Sequence, residues 1–200
     1  MIEVRNLTKK YGPNTAVNNI SFTIEKGELV CILGPSAAGK TTCLNHILAS
    51  MPEEKTLAVT SIGVDGEQTD RVTQTPKPEI FLREHTLFAT SETHYRQRRL
   101  DAEVLQFSRE STALGRVVIA RTKCPGKVLL SGPSSSAGIR RCMAEMQAWH
   151  PDLLLVDGAL SRLSPASPAV SESMVLTTGA AFSANMPALV QQTALLAEWI

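Results

Sequence analysis

Hydrophobic and polar residues repeat with two different periods along the chain, and this pattern predicts strands interleaved with helices. Strand-like runs occur at residues 2–7, 20–24, 28–33, 57–62, 116–120, 127–131, 153–157 and 173–176, with two short runs within 79–90. Helical spacing occurs at residues 42–49, 100–110, 134–149 and 185–199. Because strands and helices alternate, we expect an α/β fold, with a mostly parallel sheet covered by helices on both faces.

The first 27 residues predict a different local structure. Two alternating runs flank a turn at residues 11–14, which predicts a small antiparallel β segment at the N-terminus. A chain of 200 residues suits a single domain. We therefore predict one domain, with residues 1–27 as the β-rich segment and residues 28–200 as the α/β core.

Composition mainly excludes classes of function. A net charge of +1 and an aromatic content of 4% argue against nucleic acid as a partner. No apolar run approaches the roughly 20 residues of a membrane span, and the first residues lack the layout of a signal peptide. The four cysteines are not at metal-site spacing, which predicts reduced thiols. We expect a cytoplasmic protein with no direct membrane insertion.

The most informative stretch, residues 34–42, reads Gly-Pro-Ser-Ala-Ala-Gly-Lys-Thr-Thr. It fits the pattern G-x-x-x-x-G-K-[ST] between an apolar strand and a helix. In that context, the backbone N–H groups and the helix dipole form an anion-binding site. The sequence therefore predicts a P-loop NTPase. The predicted phosphate-binding residues are Gly34, Pro35, Ser36, Ala37, Ala38, Gly39, Lys40, Thr41 and Thr42.

Individual roles follow from the chemistry of these side chains. Lys40 is the catalytic candidate, because its ammonium group can reach the β- and γ-phosphates. The Thr41 hydroxyl is a predicted Mg²⁺ ligand, and Thr42 can reach the α-phosphate. Asp157 ends an apolar strand and is the first candidate for a carboxylate at the metal. Asp65 is the competing candidate.

Hydrolysis needs a further residue that orients the attacking water. Glu67, Asp65 and His85 are the candidates, and the sequence does not choose among them. We therefore expect slow or partner-dependent turnover of nucleotide.

Residues 1–42 resemble the start of an ATP-binding-cassette (ABC) ATPase. The resemblance is carried by IEVRNLTKKYG at 2–12, AVNNISF at 16–22, EKGE at 25–28 and the phosphate loop. It implies ATP as the nucleotide, with Tyr11 stacking on adenine. The signature of this family, LSGGQ, has only a partial match in LSGPS at 130–134, and Gly158 stands where the family has a catalytic glutamate.

From about residue 35 onward, the chain resembles a second family, the small P-loop subunit of the lysine 5,6-aminomutase reactivase. This resemblance is carried by TSIGVDGE at 60–67, TPKP at 75–78, VDGALSR at 156–162, ASPAV at 166–170 and TTGA at 177–180. It implies an ATP-dependent factor that reactivates a cobalamin-dependent aminomutase and acts with a larger ATPase subunit.

The main hypothesis is an ATP-binding protein with Mg²⁺ as its metal and a weak or partner-dependent ATPase activity, acting as such a reactivating factor. One alternative is an ABC-type transport ATPase subunit with degraded signature motifs, which predicts a membrane partner. Another is a nucleotide-binding module without hydrolysis, for which Gly158 is the strongest argument. A homodimer stays open.

Overall fold

The computed structural model describes residues 2–11, 14–24, 29–33, 39–63, 80–158, 173–178, 183 and 185–198. The strands within this part of the chain are β1 (Ile2–Tyr11), β2 (Asn14–Ile24), β3 (Leu29–Leu33), β4 (Leu57–Ser61), β5 (Ile80–Leu82), β6 (Leu87–Ser91), β7 (Ala102–Thr112), β8 (Gly115–Thr122), β9 (Gly126–Val128), β10 (Leu153–Asp157) and β11 (Ser173–Leu176). The helices are α1 (Lys40–Ser50), α2 (Glu92–Arg96), α3 (Ser136–Gln147) and α4 (Met186–Glu198).

The main sheet has seven strands in the order β11-β3-β10-β4-β6-β8-β7. The first five are parallel, and β8 and β7 are antiparallel to their neighbours. β1 and β2 form a separate antiparallel pair, and β5 pairs with β9. The predicted α/β fold, with a mostly parallel sheet and an antiparallel N-terminal segment, is therefore confirmed.

Each face of the central sheet is covered by a helix because successive strand residues point to opposite faces. In β4, Leu57 and Val59 belong to the core under α1, whereas Ala58 belongs to the core under α3. Helix α1 contributes four buried side chains to the first core, and full burial of each large one contributes roughly 1.5–3 kcal/mol. The prediction of helices on both faces is confirmed.

The prediction of a helix at residues 100–110 is wrong, because these residues form most of β7. This strand pairs with β8 from Ala102 to Thr112, with register shifts between Val104 and Gln106 and again before Ser111. A register shift breaks the two-residue alternation of side chains, so the apolar residues of β7 are spaced as in a helix. Pairing along the whole length of β8 stabilises the strand instead.

A polar network at the amino ends of the strands anchors the far end of α1. The guanidinium group of Arg83 donates hydrogen bonds to the carbonyls of Met51 (2.6 Å) and Lys55. The Lys55 ammonium contacts Asp152 at 3.0 Å, and the other oxygen of that carboxylate accepts the Thr56 N–H at 2.9 Å. These contacts hold the segment between α1 and β4, so α1 has a fixed position on the sheet.

Three cysteines in the described part of the chain are free thiols, in agreement with the sequence. Burial raises the pKa of Cys43 to about 11 and the pKa of Cys142 to about 12, so both thiols are protonated at neutral pH. None of the helices within the described ranges has the length and hydropathy needed to cross a bilayer.

Candidate nucleotide-binding site

β3 leads into the predicted phosphate loop, and α1 begins after that loop. Gly39 precedes the helix with φ 86°, a left-handed conformation that favours glycine, and it supplies no capping side chain. The first turn contains no acidic residue, so no carboxylate of the helix itself neutralises the positive end of its dipole. Lys40, Thr41 and Thr42 lie in this turn and are partly exposed. Of the predicted anion site, the structure therefore describes Gly39 and the start of the helix.

Asp157 lies at the carboxyl end of β10, directly beside the strand that leads into the loop. It pairs with Ile32 of β3 on one side and with Ser61 of β4 on the other. Paired strands are about 4.8 Å apart, so Asp157 and the end of β3 are immediate neighbours. The side chain is half-buried. The structure therefore places the loop strand and this aspartate at one edge of the sheet.

The donor types at this edge suit Mg²⁺, which prefers carboxylate and hydroxyl oxygens together with phosphate. Asp157 offers the carboxylate, and Thr41 and Thr42 offer hydroxyl groups at the helix start. Within the described residues, no group of three or more His, Cys, Asp and Glu side chains forms a metal site. The oxygen donors of Asp157, Thr41 and Thr42 are of the chemical type that fits Mg²⁺.

Several predicted site residues lie outside the described part of the chain. These are the loop residues Gly34, Pro35, Ser36, Ala37 and Ala38, together with Asp65 and Glu67. Tyr11 is described only by its backbone, which ends β1 and pairs with Asn14. Their predicted roles stay predictions.

The structure excludes His85 as the residue that orients water beside Asp157. His85 precedes β6, whose five residues run parallel to β4 and β10. It therefore lies at the amino edge of the sheet, about 17 Å from the carboxyl edge where Asp157 ends β10. The sequence could not show this, because residues 79–90 hold two short strands whose directions depend on the sheet.

The partial match to the ABC signature, residues 130–134, faces inward over most of its length. Ser131 is completely buried, and the N–H of Gly132 donates to the carbonyl of Gly63 at 3.0 Å. Pro133 has no N–H to offer. Helix α3 begins only after this segment, with Ser135 as its N-cap. The backbone N–H groups of Ser131 and Gly132 are therefore bonded within the chain.

Sequence reasoning missed the polar cluster at the end of β6. Thr90, Ser91, His94 and Ser131 are all buried, and the first three belong to β6 and α2. Ser91 caps α2, since its side chain accepts the His94 N–H at 3.4 Å. The signal that could have found this helix start is a serine followed by a glutamate in its first turn.

Burial lowers the pKa of His94, and this gives a prediction for stability. As pH falls below about 6.5, the unfolded chain takes up a proton on this histidine before the folded chain does. The free energy of unfolding therefore falls between pH 7.5 and the lower folded pKa. We expect His94→Gln to reduce this loss, measured by urea denaturation at pH 7.5 and pH 5.5. An unchanged pH dependence in the variant would contradict the prediction.

Comparison with known proteins identifies the family. The sequence model of the ABC transporter family matches residues 17–161, a range that contains the loop, Asp157 and most of the sheet. The chain belongs to the ABC transporter family. Proteins of this family bind ATP with Mg²⁺, so the prediction of these two ligands is confirmed. No solved structure matches the chain significantly.

Several bacterial ATP-binding proteins are similar to this ABC chain. It is 32% identical to the L-cystine transport system ATP-binding protein TcyN of Escherichia coli over 177 residues, 82% of this chain and 70% of that protein. It is 29% identical to the phosphate import ATP-binding protein PstB 1 of Enterococcus faecalis, over 88% of this chain and 75% of that protein. A shorter match, 47% identical over 72 residues, links it to the spermidine/putrescine import ATP-binding protein PotA of Haemophilus influenzae, over 36% of this chain and 18% of that protein.

These comparisons separate the two resemblances. They support the ABC resemblance, and they extend it well beyond residue 42, where the sequence pattern ends. They give no support to the aminomutase reactivase or to an aminomutase partner. The ABC alternative is therefore better supported than the main hypothesis from the sequence.

Proposed function

We propose that the chain is the ATP-binding subunit of an ABC-type transport system and binds Mg·ATP at the edge formed by β3, β10 and α1. One observation supports this most directly: Asp157 neighbours the strand that leads into the loop, and α1 begins directly after that loop. In this proposal Lys40 binds the β- and γ-phosphates, and Thr41 and Asp157 hold Mg²⁺. The names of TcyN and PstB 1, both ATP-binding proteins of transport, support a membrane permease as the partner.

We further propose that hydrolysis is slow in the isolated chain. Gly158 follows Asp157 directly, and a glycine has no side chain that could orient water. Asp65 and Glu67 are the remaining candidates for this role. A partner that supplies or orders a water-positioning group would raise the rate.

Calorimetric titration with ATP and GTP, each with and without Mg²⁺, tests the binding proposal. We expect ATP to bind more tightly than GTP, because Tyr11 stacks on adenine in the proposed complex, and we expect Mg²⁺ to increase the affinity. Tyr11→Ala should weaken ATP binding about 5- to 160-fold, since stacking on an aromatic ring contributes roughly 1–3 kcal/mol. Tyr11→Phe is the matched control, because it keeps the ring. Equal affinity of Tyr11→Ala and the wild type would refute the stacking role.

Steady-state phosphate release distinguishes the remaining alternatives. Release that rises when permease-containing membranes are added would support the transport proposal. Binding of ATP with no release under any condition would instead support the non-hydrolysing module. Stimulation by a cobalamin-dependent aminomutase would revive the reactivase hypothesis.

A further inference from the structure

Residues 130–133, which we call the strap, contact the carboxyl ends of two neighbouring parallel strands, β4 and β6. They follow β9 and precede α3, so they do not belong to the seven-stranded sheet. All four residues are buried, and Pro133 ends the strap. The strap is therefore packed against the polar edge of the sheet.

Hydroxyl groups join the strap to β6. The Ser131 hydroxyl donates to Ser91 Oγ at 2.8 Å, and the Ser91 N–H donates to Ser131 Oγ at 3.1 Å. The Ser131 N–H donates to Thr90 Oγ1 at 3.1 Å, and that hydroxyl donates to the carbonyl of Leu129 at 2.8 Å. The hydroxyls of Thr90, Ser91 and Ser131 are therefore held together by hydrogen bonds within the chain.

Backbone contacts join the strap to β4. The Gly132 N–H donates to the Gly63 carbonyl at 3.0 Å, and the Gly63 N–H donates to the Pro133 carbonyl at 3.0 Å. A Cβ atom on Gly132 would lie 1.9 Å from the carbonyl oxygen of Ser61. The strap therefore contacts Ser61, the last residue of β4, and Gly63.

The same end of β4 contacts Asp157. Ser61 pairs with Asp157, and the Ile62 N–H donates to the Asp157 carbonyl at 3.0 Å. On its other side, Asp157 pairs with Ile32 of β3. The backbone of Asp157 thus lies between the loop strand and a β4 end that the strap holds in place.

We propose that Ser131 and Gly132 are positioning residues for Asp157, and that the strap sets how strongly Mg²⁺ increases the affinity for nucleotide. This rests on the proposed function, in which Asp157 holds the metal. When the strap is loosened, the end of β4 moves more freely and Asp157 is held less firmly beside the end of β3. The phosphate contacts of the loop and of α1 do not depend on the strap, so binding of metal-free ATP is retained.

Ser131→Ala tests this proposal with the full chain. We expect the increase in ATP affinity caused by Mg²⁺, measured by calorimetry with Mg²⁺ and with EDTA, to fall about 3- to 10-fold, the effect of one lost hydrogen bond. The affinity in EDTA should change less than about twofold. Amide hydrogen exchange provides a readout without nucleotide. The Ile62 and Gly63 amides should exchange at least about fivefold faster in the variant than in the wild type.

Ser108→Ala is the matched control. Ser108 is a buried serine of β7 whose hydroxyl accepts the Glu110 N–H at 3.0 Å, so its loss also removes a hydrogen bond made by a buried serine, but far from Asp157 in the sheet order. We expect this variant to leave both readouts at the wild-type values.

Three results would overturn the proposal. Equal weakening of ATP binding with Mg²⁺ and with EDTA would show that Ser131 has a purely structural role. Unchanged exchange at Ile62 and Gly63 would show that the strap does not hold β4. A wild-type protein that binds ATP without any gain in affinity from Mg²⁺ would also overturn the proposal, although the proposed ATP binding would stand. A wild-type protein that binds no ATP would instead refute the proposed function itself.

Discussion

Lys40→Ala should reduce the affinity for ATP about 30- to 5000-fold, because truncating one partner of a desolvated charge pair costs roughly 2–5 kcal/mol. The lysine lies in the first turn of α1, and its ammonium is the proposed partner of the β- and γ-phosphates. Backbone N–H groups and the helix dipole attract phosphate more weakly than a full positive charge does. Isothermal titration with Mg·ATP measures the effect directly.

Two comparisons make the Lys40 result specific. Lys123 is an exposed lysine after β8, so Lys123→Ala removes the same charge elsewhere on the surface and should leave the affinity within about twofold. Thermal unfolding should place the transition of Lys40→Ala close to that of the wild type, because Lys40 is partly exposed. Retained affinity in a folded Lys40→Ala protein would refute the loop assignment.

The elements that flank the proposed site could be predicted from sequence because their signals are local. β3 and β10 are short apolar runs, and burial on both faces of a parallel sheet favours such runs. The start of α1 could be predicted from the pattern of a glycine before a lysine and two threonines, and Gly39 adopts a left-handed conformation there. What the sequence could not show is that β10 lies directly beside β3, because this order depends on contacts between residues far apart in the chain.

β7 shows why the predicted helix at residues 100–110 was wrong. Its apolar residues are spaced as in a helix, but the strand contains two register shifts and lies at the edge of the sheet. There Val104 and Phe107 are exposed, and the guanidinium group of Arg116 covers the Phe107 ring at 5.0 Å. Pairing with β8 is a tertiary effect, and it overrides the local preference for a helix.

The strap illustrates a second limit of sequence reasoning. The motif at 130–134 matches the ABC signature only in part, and the structure places Ser131 in contact with Ser91, 40 positions away in the chain. No local pattern links the two serines, because α2, β7, β8 and β9 separate them along the chain. The glycine of this motif has a clear physical role, since only glycine fits against the carbonyl of Ser61.

Gly132→Ala should therefore destabilise the fold severely. The new Cβ would lie 1.9 Å from the Ser61 oxygen, and the obstacle is backbone within the sheet rather than a flexible side chain. Overpacking usually costs 1–3 kcal/mol, and we expect the upper end, about 3 kcal/mol. A loss of this size lowers the melting temperature by roughly 6–12 °C in a domain of this length.

The control for this prediction lies two residues further along. Ser134 is exposed, so Ser134→Ala should change the free energy of unfolding by less than about 0.5 kcal/mol. Calorimetric melting of the wild type and the two variants makes the comparison, and a Gly132→Ala protein that melts within about 2 °C of the wild type would contradict it. That outcome would mean that the strap can move away from β4 at little cost, and the mechanical link from Ser131 to Asp157 would fail with it.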